Sequence, residues 1–237
     1  MPERSLRQAW EDNAESWVNW ARSVELDHAF WRLNMPALLD LLPGPEGRIT
    51  LDVGCGEGRL AREMKRRGYR VVGLESSRSL CAAAREADPE FDVVLGDAAD
   101  LPFPDETFDL AVASLSLMNM DDMPGAVREI GRVLKPAGVF CFSVLHPVNT
   151  WGDAGNISYF DTIAYEERLE VDGGTMTFHD THRPLREYFA ALEAAGFLVE
   201  RLREPKPDEE YAASHAAAAR WRDRPGFLHV RAVLGRS

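Results

Sequence analysis

The sequence predicts an α/β protein built on a doubly wound, seven-stranded sheet, mostly parallel with its last strand antiparallel. Three observations carry that expectation. Apolar strand-like runs alternate with helical patterns five times between residues 46 and 145. The first of these strands runs straight into Gly54-Cys55-Gly56-Glu57-Gly58 and then into a helix. Two more strand-like runs, Phe197–Leu202 and Phe227–Leu234, come late in the chain, and the last is expected to lie antiparallel. The chain divides into an N-terminal helical cap (1–45), an α/β core (46–145), an insert on the substrate side (146–183) and a segment completing the sheet (184–237).

In the cap, Trp10, Trp17, Trp20 and Val24 fall near one face at helical spacing, with Trp31 beyond them. Pro36 marks a helix start, and Pro43-Gly44-Pro45 ends the segment. Core strands are expected at 49–53, 70–75, 91–95, 108–114 and 138–145. Helices are expected near 58–67, 77–87 and 122–134, with a weaker element over 101–106. Lys135-Pro136-Ala137-Gly138 reads as the turn that stops the last helix. From His146 the alternation breaks, and a long irregular stretch between core elements usually has a functional purpose. Two short strand-like pieces there meet at a hairpin around Asp172-Gly173. A helix over 184–195 stops at Gly196, an acidic, proline-bearing loop fills 204–210, and 212–221 is helical by composition.

The glycine turn is a nucleotide-binding corner. Glycines admit a ligand where a Cβ would collide, and a helix N-terminus offers free N–H groups. The spacing is G-x-G-x-G, not the dinucleotide G-x-G-x-x-G, and no Lys followed by Ser or Thr is present to cradle phosphates. Asp52, at the end of the first strand, would repel a pyrophosphate but suits an ammonium group. Glu75 ends the second strand, 19 residues after Gly56, where an acid can take both hydroxyls of a ribose. Asp97 follows the third strand and can accept from an adenine amine, leaving the Ala98 amide for a ring nitrogen. An ammonium, a ribose and an adenine together describe S-adenosylmethionine. Each acid alone reads as a cap or turn residue; three at consecutive strand ends do not.

The runs LDVGCGEGRLAREM, VVGLESS, GDAADLPFPDETFDLAVASLSLMNM and EIGRVLKPAGVFCFSV occur in order over residues 49–145. They resemble the class I S-adenosylmethionine-dependent methyltransferases of the small-molecule branch, akin to the ubiquinone/menaquinone C-methyltransferase-like proteins. HRPLREYFAALEAAGF and FLHVRAV resemble that group's chain ending. The resemblance implies S-adenosylmethionine as cofactor, S-adenosylhomocysteine as product, no metal, and a cap folded over the cofactor. It implies a cofactor set of Trp17, Asp52, Gly54, Cys55, Gly56, Gly58, Glu75, Ser76, Asp97, Ala98, Ser114 and Leu115. Cys55 is in that set a packing residue and not a nucleophile.

Composition narrows the partners. The net charge of −12 disfavours a general affinity for nucleic acid. Arg59, Arg62, Lys65, Arg66 and Arg67 cluster on one helix, more simply a solvated face than a phosphate site. Three cysteines without zinc spacing fit a reducing cytoplasm. The N-terminus has no signal-peptide pattern, and no run approaches the roughly 18 apolar residues of a membrane span. A monomer and a homodimer fit the sequence equally.

Methyl transfer draws its reactivity from the cofactor, so the protein's task is to position donor and acceptor. An acceptor that must lose a proton needs a base, and histidine suits neutral pH. His146, directly after the fifth strand, is the first candidate; His182 and His28, beside Asp27, follow. His179-Asp180-Thr181-His182 lacks a metal-binding pattern. The expected function is methyl transfer to a small, aromatic or apolar acceptor at O, N or C, by a histidine base or by proximity alone. The alternatives are an RNA or protein methyltransferase and a non-catalytic S-adenosylmethionine-binding module.

Overall fold

The computed structural model describes residues 5–153, 158–171 and 174–235. Nine strands are described: β1 (Ile49–Val53), β2 (Arg70–Glu75), β3 (Asp92–Leu95), β4 (Phe108–Ser114), β5 (Leu134–Leu145), β6 (Ile163–Val171), β7 (Gly174–His182), β8 (Phe197–Arg203) and β9 (Phe227–Leu234). Seven form one sheet in the order β3-β2-β1-β4-β5-β9-β8. β1 to β5 pair in parallel, and β9 runs antiparallel to both β5 and β8. The expected fold class is therefore the observed one.

Among the described residues ten α-helices accompany the strands: α1 (Leu6–Asp12), α2 (Ala14–Arg22), α3 (Met35–Leu39), α4 (Arg59–Arg66), α5 (Arg78–Ala87), α6 (Met123–Val133), α7 (Pro147–Asp153), α8 (Leu185–Ala194), α9 (Glu209–Ser214) and α10 (Ala216–Ala219). Side-chain alternation along the strands sends residues to two faces. Ala111, Ala113, Phe140, Phe142 and Val144 meet α6 and α8 on one face. Leu110, Val112, Val139 and Cys141 meet α3, α4 and α5 on the other. Each fully buried Phe or Leu contributes about 1.5–3 kcal/mol, and the twelve largest fully buried side chains are spread over both faces. α4 shows how sequence sets orientation: Leu60, Ala61 and Met64 point inward. Its basic outer residues are paired, Arg62 with Glu57 and Arg67 with Glu63. The cluster is thus a solvated, charge-paired face except for Arg59, which is buried and pairs with Asp27.

Several local expectations shift. β5 starts at Leu134, not 138, because Lys135–Gly138 bulges out of a continuous strand; the register jumps from Phe108↔Leu134 to Leu110↔Val139. Ala137 takes a left-handed φ of 61° there. Residues 101–106 form no regular element. The expected helix over 212–221 is broken into α9, α10 and a short 3₁₀ turn, Arg220–Arg222. The insert is more regular than expected: α7, then β6 and β7 paired antiparallel as a separate two-stranded sheet. The turn at Asp172-Gly173 lies outside the described residues. Among the described residues no helix is long and apolar enough to cross a membrane.

Candidate functional site

The carboxyl ends of β1 to β4 form one rim, where ligands bind in open α/β sheets. β1 delivers Asp52, and the chain turns through Gly54, Gly56 and Gly58 with φ of 70°, 57° and 83°. Side chains are strained in that region. A Cβ on Gly54 would also lie 2.7 Å from the Ser116 Cβ. Gly58 caps α4, whose first residue is Arg59.

The rim acids differ in environment. Asp52 is fully buried, and its Oδ2 has no hydrogen-bond partner. Burial, then the charge of Glu75, pushes its pKa up to about 7. An orphaned buried carboxylate oxygen of this kind asks for a cation. Glu75 is held by backbone amides: Gly56 N–H donates to Oε2 at 2.9 Å, and Ser76 and Ser77 N–H donate to Oε1 at 2.8 and 2.9 Å. Burial still raises its pKa against these bonds. Asp97 is exposed at the rim, its Oδ1 accepting from Ala99 N–H at 2.9 Å, with Ala98 buried beside it.

The cap closes over this rim. Trp17 Nε1 lies 3.4 Å from where a Gly56 Cβ would sit. The Arg59 guanidinium lies 3.4 Å over the Phe30 ring and 5.0 Å over Trp17, and pairs with Asp27 at 2.6 Å. Phe30 to Asn34 form a π-helical turn, a distortion frequent at functional sites. Glu11 reaches the α5 N-terminus, accepting from Ser77 Oγ at 2.6 Å and Ser79 Oγ at 2.7 Å.

Between cap and rim lies a cavity whose empty volume, open mouth included, is about 1210 Å³. Of the expected cofactor set, Trp17, Asp52, Gly54, Cys55, Gly56, Glu75, Ser76, Asp97, Ala98, Ser114 and Leu115 line it. Gly58 does not; it sits behind the turn against Phe91. Sequence reasoning missed Arg7, Trp10, Phe30, Arg59, Asn119 and Met120, which also line it. The tryptophan spacing was the available signal for Trp10, which packs edge-on to Trp17 at 5.3 Å. Burial raises the Cys55 thiol well above its ordinary pKa, which keeps it protonated.

The three candidate histidines do not line the cavity. His146 accepts from Val148 N–H through Nδ1 at 3.1 Å, so its proton sits on Nε2, 3.0 Å from Glu204. Both ring nitrogens are thereby occupied, and burial lowers its pKa. His182 lies 2.7 Å from Thr150 Oγ1 and donates from Nε2 to the Tyr159 carbonyl at 3.1 Å. His28 Nδ1 is 2.6 Å from the Tyr211 hydroxyl, with the His215 ring tilted against it at 4.3 Å. Among the described residues no three His, Cys, Asp or Glu side chains converge as metal ligands.

Residues 51–142 match the methyltransferase domain family. Over 109 residues the chain is 37% identical to malonyl-[acyl-carrier protein] O-methyltransferase of Salmonella typhimurium, 46% of this chain and 43% of that protein. It is 37% identical over 108 residues to demethylmenaquinone methyltransferase of Corynebacterium kroppenstedtii, 46% of this chain and 45% of that one. It is 39% identical over 93 residues to the mitochondrial arginine-hydroxylase NDUFAF5 of Danio rerio, 39% of this chain and 29% of that one. The chain thus spans less than half the length of these curated relatives. A crystal structure of an S-adenosylmethionine-dependent methyltransferase from Mesorhizobium loti superposes with a TM-score of 0.67 at 27% identity, covering 90% of this chain and 99% of that one. Residues 51–142 thus match a methyltransferase domain, and the fold around them is similar to that of an S-adenosylmethionine-dependent methyltransferase.

Proposed function

We propose that this protein transfers a methyl group from S-adenosylmethionine to a small organic acceptor with an apolar body. The observation that carries this is one cavity joining the glycine turn, the orphaned Asp52 carboxylate and the amide-held Glu75 beneath an aromatic cap. Bound S-adenosylmethionine supplies an activated methyl group on a sulfonium. In this reading Asp52 receives the ammonium, and Gly54, Cys55 and Gly56, backed by Gly58, admit the amino-acid part. Glu75 and Ser76 take the ribose hydroxyls, and Asp97 and Ala98 meet the adenine. Trp17, Ser114 and Leu115 wall the donor.

The cap of residues 1–45 excludes water, and the insert of 146–183 braces the acceptor side. With the nitrogens of His146 and His182 engaged and His28 hydrogen-bonded to Tyr211, positioning carries the catalysis and no histidine base is assigned. The net charge of −12 and the covered cavity favour a small acceptor over RNA. Three buried free thiols fit the cytoplasm as its location. The likeness to an arginine-hydroxylase favours a second reading, a non-transferase on the same fold.

Label transfer separates the readings. Methyl-labelled S-adenosylmethionine is incubated with the protein and a metabolite extract, bulk RNA or bulk protein. Label should appear in the small-molecule fraction alone. Label confined to RNA or protein, or no transfer despite S-adenosylhomocysteine binding, overturns the proposal.

A further inference from the structure

Asn119 lines the cavity, and among the described residues nothing donates to its buried Oδ1. β4 ends at Ser114, and Leu115 then takes a left-handed φ of 52°, pinned by its N–H to the Ser143 carbonyl at 2.8 Å. The chain continues into a 3₁₀ turn, Leu117–Asn119. There Asn119 Nδ2 donates to the Leu115 carbonyl at 3.2 Å. That bond fixes which way the amide points, since the reverse orientation would set two carbonyl oxygens face to face. The other end, Oδ1, is buried and unpartnered.

The turn is held from outside. Arg183, itself buried at the end of β7, donates to the carbonyls on either side of Asn119: Met118 at 3.1 Å and Met120 at 2.8 Å. Asn119 is therefore preorganised, with its orientation set by one bond and its backbone by two. A buried acceptor without a donor is costly and calls for a ligand.

The order of strands says which ligand. Glu75 and the Asp97 segment follow β2 and β3, on one side of the glycine turn; Asn119 follows β4, on the other. The Asn119 turn is accordingly placed across the glycine turn from the ribose and adenine acids. Asp121 and Asp122, just beyond Met120, line the same cavity, as does Arg7.

We propose that Asn119 Oδ1 selects the acceptor molecule, and that the acceptor presents a neutral O–H or N–H to it on an apolar, ring-sized body. This rests on the methyl-transfer reading and narrows it to hydroxyl- or amine-bearing acceptors over carboxylates. Arg183 is a positioning residue that keeps the Asn119 turn in place.

The test uses the full chain saturated with S-adenosylhomocysteine and three probes of one shape: 2-naphthol, 2-methoxynaphthalene and 2-naphthoate. Calorimetry should find 2-naphthol bound at least tenfold tighter than either of the others. Asn119→Leu, of similar size, should erase that preference and leave S-adenosylhomocysteine affinity within about twofold; Asn119→Ala serves where the Leu variant does not melt cooperatively. Equal binding of naphthol and its methyl ether, no binding of naphthol, or a preference that survives in the Leu or Ala variant overturns the proposal. So does a fall in S-adenosylhomocysteine affinity on truncation, which would assign Oδ1 to the cofactor. Failure of the underlying reading looks different: the wild-type protein would bind no S-adenosylhomocysteine or transfer no label.

Discussion

At the scale of single residues, the site depends on carboxyl groups kept out of water. Asp52 is the clearest case, since its pKa of about 7 stands above the ordinary 3.8 chiefly because it is buried. Between those values the folded protein binds a proton that the unfolded chain has released. The stability that proton brings is full below about pH 3.8, declines as pH rises, and is gone above about pH 7. Asp52 therefore lowers the melting temperature of the ligand-free protein from about pH 4 to about pH 7, against His229, whose burial-lowered pKa of about 4 works the opposite way below about pH 6.5. Asp52→Asn should flatten part of that slope. Asp180, also raised to about 7 by burial and then by Glu167, keeps the remainder. A cation placed against Asp52 favours its ionised form, so S-adenosylhomocysteine binding near pH 7 should release protons. Calorimetry in buffers of different ionisation enthalpy reads that release, and an unchanged pH slope in Asp52→Asn would refute the assignment.

At the scale of elements, the joints between strands and the segments that follow them decide what each side chain can do. His146 sits at the joint of β5 and α7. Its backbone N–H donates to the Gly226 carbonyl at 2.9 Å and its Nδ1 takes the Val148 N–H at the start of α7. This is a capping and tethering role. His146→Ala should destabilise the fold by about 1–3 kcal/mol, with S-adenosylhomocysteine affinity and turnover per folded molecule unchanged. Thermal melts paired with calorimetry and label transfer check it. A variant that melts normally yet loses about 10²-fold or more in turnover would return His146 to the role of base. The cap joint works the other way, bringing function in: the Asp27 pair and the Phe30 and Trp17 rings hold Arg59 at the cavity wall.

At the scale of the whole molecule, cap and sheet rim enclose the cavity, so a ligand filling it should report on global stability. A ligand that binds only the folded state at about 100 times its Kd adds about 2.7 kcal/mol. For a chain of this size that is a rise of roughly 5–10 °C in melting temperature. S-adenosylhomocysteine should give that shift, whereas NAD and ATP at the same concentration should give almost none. An equal shift with NAD would contradict the reading of the glycine turn.

The sequence by itself determined the sheet, the glycine turn and the line of acids along its rim. Those features are local: alternation of two, a helical repeat, and an acid or a glycine at a strand's end are all written in consecutive residues. It also placed His146 correctly after the fifth strand. What it could not supply was the partner of each polar atom. Glu204 for His146, Tyr159 for His182 and Tyr211 for His28 arrive from distant segments, and they turn three candidate bases into engaged side chains. The same holds for Asn119. Its residue type said little, and only the packed structure, with Arg183 brought back from the end of β7, left one of its oxygens buried and waiting for a donor. Local spacing fixes which element carries a group, and tertiary contacts fix whether that group is free to act.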